Sequence, residues 1–119
     1  MTAPLRQIRV QDLASFIAQH AAQPGSAPPL LLDVREAWEL ETARLELPGT
    51  RLLHLPMGEL PQRLDELDPA QTILALCHHG MRSLQCVAYL QRQGHAHVYN
   101  VHGGIDAWST QVDASVPRY

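Results

Sequence analysis

Thr72-Ile73-Leu74-Ala75-Leu76-Cys77-His78-His79-Gly80-Met81-Arg82-Ser83 sets the reading of everything around it. The apolar run Thr72 to Leu76 predicts a buried strand, and the pattern from Ser83 to about Gln93 predicts a helix. Between them lies a short glycine-containing loop that begins with a cysteine. Loop amides and a helix N-terminus direct unpaired N–H groups at one point and favour negative charge there. A thiol held at that point is set up as a nucleophile, because the thiolate is the reactive form. A small buried cysteine at a strand end is the plainer reading. Gly80 and Arg82 favour the chemical one: the first frees the backbone, and the second attracts an anion.

Outward from this stretch, strands and helices alternate. Gln7 to Val10 reads as an edge strand. Val10, Leu13, Phe16 and Ile17 recur at helical spacing and predict a helix over 10–22. The breaker-rich stretch Gln23 to Pro29 is a loop. Leu30-Leu31-Leu32 predicts a central parallel strand covered on both faces. It runs into Asp33-Val34-Arg35-Glu36, at the strand end where open α/β sheets carry their sites. Asp33 and Arg35 are read as braces for the neighbouring loops, joined by an ion pair. Ala37 to Thr42 is a short helix whose Trp38 is assigned to the core. After the Pro48-Gly49 turn, Arg51 to Leu55 is a strand. Met57, Leu60, Leu64 and Leu67 then follow at helical spacing, with Pro61 near the start. His97 to Val101 is the last strand, with His95 and His97 partly exposed at its beginning. Gly103-Gly104 breaks the chain before a short helix over 105–108, and 109–119 forms an irregular tail on the surface. The alternation predicts an α/β domain with a mainly parallel sheet and helices on both faces.

The composition narrows the function classes. The chain has 119 residues, enough for one domain over 1–119 with a core that needs neither disulfides nor metal. Nine Lys and Arg oppose twelve Asp and Glu, with no basic cluster to bind nucleic acid. No apolar run has membrane-spanning length, and the first residues do not resemble a secretory signal. Two cysteines, Cys77 and Cys86, do not make a disulfide framework. These features point to a reducing, cytoplasmic setting. Cys86, beside Val87 and Leu90 in the predicted helix, reads as a small core residue.

Four segments in order carry a family resemblance: Leu31-Leu32-Asp33-Val34-Arg35-Glu36, Leu47-Pro48-Gly49-Thr50, Cys77 to Ser83, and Val101-His102-Gly103-Gly104-Ile105-Asp106-Ala107-Trp108. Together they resemble a single-domain rhodanese of the thiosulfate sulfurtransferase family, over about residues 6 to 110. The resemblance implies a five-stranded sheet flanked by helices and a double-displacement reaction. Cys77 would take a sulfane sulfur from thiosulfate or a persulfide donor, then pass it to a thiol or to cyanide. His78, His79, Gly80, Met81, Arg82 and Ser83 would form the substrate loop, with Asp33 and Arg35 in support. The chemistry calls for no cofactor and no metal. Its partners would be a small sulfur-donor anion and a thiol acceptor, which a protein can supply, with no nucleic acid or membrane involved. The family often has histidine before its Ile-Pro-Gly; here Glu46 precedes Leu47, at a position read as structural. The tail from Val112 to Tyr119 also resembles tails of rhodanese domains fused to activating enzymes of cofactor sulfuration.

Three other readings compete. Cysteine phosphatases and arsenate reductases cradle an oxyanion with cysteine, five residues, then arginine; here four residues separate Cys77 from Arg82, which makes a tighter nest. Rhodanese-like domains that act only as binding modules lack the cysteine, which is present here. A metal held by Cys77, His78 and His79, with His95, His97, His54 or His102 nearby, would need adjacent residues of a tight loop to converge, and no zinc-type spacing occurs. His78 or His79, if protonated, could favour the thiolate; the plainer expectation is that both rings turn to solvent while the amides turn inward.

Overall fold

Leu30–Asp33 (β2) and Ile73–Leu76 (β4) pair in parallel at the centre of the sheet, and every residue of both strands is buried. The computed structural model describes residues 4–119. Around this pair stand Gln7–Arg9 (β1), Arg51–His54 (β3) and Val98–His102 (β5), in the order β1-β5-β4-β2-β3. Every pairing is parallel, so the mainly parallel sheet expected from the sequence is wholly so.

Period-two alternation divides the core between the two faces. Leu30, Leu32, Ile73 and Ala75 pack with Cys86, Val87 and Leu90 of helix α3, Met81–Arg92. Leu31, Leu74 and Leu76 pack on the other side with Leu13 and Ile17 of α1, Leu13–Ala21, and with Ile105 of α4, Gly104–Gln111. A strand buried on both faces favours apolar residues throughout, which is why these runs read as continuously apolar until Asp33 ends β2. Among the described residues, no helix is long and apolar enough to cross a membrane.

Several elements differ from expectation for identifiable reasons. Val10–Asp12 forms a 3₁₀ turn before α1 begins. Between β3 and β4 the Met/Leu stripe winds as two 3₁₀ segments, Met57–Glu59 and Pro61–Glu66, with a break at Arg63 (φ −115°, ψ 16°). Pro61 has no N–H for the carbonyl four residues back, so a continuous α-helix cannot pass through it. The last helix continues to Gln111, three residues past the expected end. His95 is buried rather than partly exposed, and burial holds its imidazole below the usual range. Trp38 is 58% exposed, not core. Helix α2, Ala37–Thr42, turns Glu39 inward instead, and Trp38 stands edge-on to Tyr119 at 5.8 Å.

The topology places a crevice at the carboxyl ends of β2 and β4. From β4 the chain leaves towards β5, and from β2 it leaves towards β3, in the opposite direction along the sheet. Open parallel sheets bind ligands at such a switch point. Asp33 ends β2 and Cys77 follows β4 there.

Candidate active site

The loop after β4 wraps around the sulfur of Cys77. The N–H of Gly80 donates to Sγ at 3.1 Å and the N–H of Ser83 at 3.4 Å. The Ser83 hydroxyl lies 3.2 Å from the same atom. Gly80 allows the wrap: it has φ +94°, and a Cβ on it would stand 3.0 Å from the Gly103 nitrogen. Residues 81–83 open α3, whose first amides have no intrahelical acceptor, so the positive end of that helix faces the thiol.

The loop carbonyls are turned the other way and held. Ile105 N–H donates to the Cys77 carbonyl at 2.9 Å, and Asp106 N–H to that of His78 at 3.0 Å. The first amides of α4 thus occupy the acceptors that would otherwise compete for the anion's surroundings. Gly104 makes this approach possible, since a Cβ there would overlap the Cys77 and His78 carbonyls. From the sequence, Gly103-Gly104 reads as a chain break and as part of a segment that carries the family resemblance, with no contact to the cysteine loop foreseen. The signal was the pairing of two glycines with a helix start, a pattern that brings one backbone close to another.

Charged residues brace the loop from the β2 side. Arg35, fully buried, clamps Asp33 through Nη2 at 2.7 Å and Nε at 2.9 Å, and its Nη1 reaches the Tyr119 hydroxyl at 2.9 Å. Arg82 does not offer an unpaired cation to the loop mouth: Nη1 and Nη2 each meet a Glu39 oxygen at 2.7 Å. This fork holds the Glu39 carboxyl at about 2, against the opposing effect of burial. Tyr119 also donates to Glu39 at 2.9 Å, and burial pushes its phenol up to about 12. These four charges, two of each sign, cancel. Stabilisation of an anion on sulfur therefore falls chiefly to the amides.

The two histidines occupy different settings. His79 is exposed. His78 is stacked between His79 and Tyr119, with both centroid distances 3.9 Å, rather than turned freely to solvent. Burial, and then the neighbouring His79, lower its basicity. His78, His79 and Asp106 bring one potential ligand atom each within 4.8 Å of one another. The two imidazoles lie within 25° of parallel, however, so their in-plane lone pairs run side by side instead of converging on an ion. Met81 projects from the lip, 68% exposed. Glu46 pairs with Arg44 at 2.8 Å on the surface. Cys86 lies under α3 as a free thiol, pushed up to about 12 by burial. A cavity of about 620 Å³ lies between α1, residues 44–49 and α4, and none of the loop residues lines it.

A parallel α/β sheet with one cysteine held in a nest of amides at its switch point defines a class of domain, and comparison with known proteins agrees. The model of the rhodanese-like domain matches residues 13–111, and the chain belongs to that family. It is 36% identical over 118 residues to the rhodanese-like/PpiC domain-containing protein 12, chloroplastic, of Arabidopsis thaliana, covering 98% of this chain and 38% of that protein. It is 39% identical over 80 residues to a sulfurtransferase of Allochromatium vinosum, covering 67% of this chain and 71% of that one. The chain thus spans well under half of the Arabidopsis relative's length. A rhodanese-related protein from Thermoplasma volcanium superposes with a TM-score of 0.70 at 27% identity, over 90% of this chain and 93% of that one.

Proposed function

We propose that this domain transfers sulfane sulfur through a persulfide on Cys77. The observation that carries the reading is the convergence of the Gly80 and Ser83 amides on Sγ, with the loop carbonyls held away by α4. The family and the sulfurtransferase relative support it. In the first half-reaction the Cys77 thiolate attacks the outer sulfur of thiosulfate, or the sulfane sulfur of a persulfide donor. A sulfur–sulfur bond forms on Cys77 while the donor's own breaks, and sulfite or a thiolate leaves with the electron pair. In the second, an acceptor thiolate or cyanide attacks the outer sulfur of the persulfide and restores the Cys77 thiolate. Both steps exchange one anionic sulfur for another at one place, which suits fixed amide dipoles better than a general base.

His78 to Ser83 contribute mainly backbone to this nest. Arg82 shapes it through Glu39. Asp33 holds Arg35, which supports the loop indirectly, through the Glu39 carbonyl and through Tyr119 stacked on His78. A phosphatase would need the arginine aimed at the bound oxyanion. Here Arg82 follows Cys77 after only four residues and its guanidinium is committed to Glu39. The acceptor is a small or protein-borne thiol that approaches past Met81. The test is thiocyanate formation from thiosulfate and cyanide: the native chain should turn over, and Cys77→Ser should not. Equal turnover by Cys77→Ser would overturn the reading.

A further inference from the structure

Ser83 has one hydroxyl hydrogen and two buried neighbours that can accept it. Its Oγ lies 3.2 Å from Cys77 Sγ and 2.5 Å from Asn100 Oδ1, and Ser83 and Asn100 are both fully buried on facing elements, α3 and β5. The orientation of the Asn100 amide is fixed by its other contacts. The Gly80 carbonyl only accepts, so the Asn100 atom 3.1 Å from it is the nitrogen, which also donates to Gln7 Oε1 at 3.0 Å. The atom facing Ser83 is then the amide oxygen, which also only accepts. The Ser83 hydrogen therefore points at Asn100, and the Cys77 contact is satisfied by a thiol S–H donating to Ser83 Oγ. That arrangement fits a thiol but not a thiolate, which has no hydrogen to give and requires donors.

We propose that Asn100 is a positioning residue for Cys77 that acts by competing for the Ser83 hydroxyl. The hydroxyl serves Asn100 while Cys77 is a thiol and turns to the sulfur when Cys77 becomes an anion. On ionisation the S–H proton passes to solvent. The Ser83 O–H bond stays intact and only rotates, and Asn100 Oδ1 loses one donor. Once Sγ carries a second sulfur, the charge moves to the outer atom and the hydroxyl returns to Asn100. The inference rests on Cys77 being the nucleophile, as proposed above.

Other charged and titratable groups surround the loop. Arg82 and Cys86 face it from α3, Glu39 from α2, and Asp33 with Arg35 from the end of β2. His78 and His79 belong to the loop, Asp106 faces them from α4, Tyr119 stacks on His78, and His102 reaches Asn100 only through Gln7. Among the described residues none of these hydrogen-bonds to Sγ, whose partners are Gly80 and Ser83 alone. The Ser83 hydroxyl is thus the one contact at Sγ whose direction can reverse with charge.

The test is the rate of Cys77 alkylation by iodoacetamide against pH, in a Cys86→Ala background. Asn100→Leu releases the hydroxyl to the sulfur and should lower the midpoint of that profile by about one pH unit, or about tenfold in rate below it. In a Ser83→Ala background the same substitution should leave the midpoint where Ser83→Ala alone puts it. No shift, an upward shift, or the same shift in both backgrounds would overturn the proposal and make Asn100 a brace for Gly80. Should Asn100→Leu fail to fold, the native chain still decides the matter. The Asn100 side-chain carbonyl carbon resonance should titrate with the alkylation midpoint, and a flat signal would refute the proposal. Neither experiment uses a sulfur donor. A chain that shows these shifts but takes no sulfur from thiosulfate would sink the sulfur-transfer reading and leave the hydroxyl switch standing, and the converse result would do the opposite.

Discussion

The Ile105 N–H donates to the Cys77 carbonyl at 2.9 Å, joining the start of the last helix to the proposed nucleophile. This bond and its neighbour from Asp106 to His78 decide which way the loop peptides face. Both depend on Gly104, which has φ +64° and no room for a Cβ beneath the loop. Gly104→Ala should therefore cost about 2 kcal/mol or more in a urea titration and abolish thiocyanate formation. A folded Gly104→Ala protein with native turnover would show that the α4 amides do not set the loop.

Glu39 should govern acid stability. Its carboxyl is 3% exposed and is held at about 2 by the Arg82 fork, against an ordinary value of 4.5. A lowered folded-state value contributes stability above pH 4.5 that is lost as pH falls through 4.5 towards 2. The difference corresponds to about 3 kcal/mol. Urea titrations at pH 7 and pH 3 should show Glu39→Gln losing most of its deficit relative to the native chain at the lower pH. A deficit that does not shrink would mean that the fork contributes nothing through charge.

Much of this was legible in the sequence because the signals were periodic or chemically rare. Leu30–Leu32 and Thr72–Leu76 are too apolar to be anything but central strands, and one cysteine before a Gly-containing loop and a helix points to the proposed site. What escaped was set by tertiary partners. Trp38 belongs outside because Glu39, a charged residue, fills the inward position once Arg82 arrives to neutralise it. Arg82 reads as an anion receptor until Glu39, forty-three positions earlier, is found on its guanidinium. Asn100 offered no local signal at all, since its role comes from β5 lying beside β4 and facing α3. The 3₁₀ segments could have been foreseen, because Pro61 was visible and its missing N–H excludes a continuous helix.

Cys86 should be dispensable. It is buried against Val87 and Leu90, and burial pushes its thiol up to about 12, far from the reactive form at neutral pH. Cys86→Ala should keep most of the turnover and lose about 1 kcal/mol from the small cavity. Loss of turnover in a variant of native stability would give Cys86 a part in the reaction.

Phosphate esters should not be substrates. The Arg82 guanidinium is committed to Glu39, and the loop is one residue short of the phosphatase pattern. Para-nitrophenyl phosphate should be hydrolysed no faster by the native chain than by Cys77→Ser. Cysteine-dependent hydrolysis faster than sulfur transfer would favour the phosphatase reading.

The most direct measurement is peptide mass mapping after incubation with thiosulfate and removal of the excess, with sulfite measured in the same sample. The peptide carrying Cys77 should gain the mass of one sulfur atom, in step with one sulfite released, and should lose it when cyanide is added. Sulfur recovered on the Cys86 peptide, or sulfite released with no sulfur on Cys77, would contradict a Cys77 persulfide.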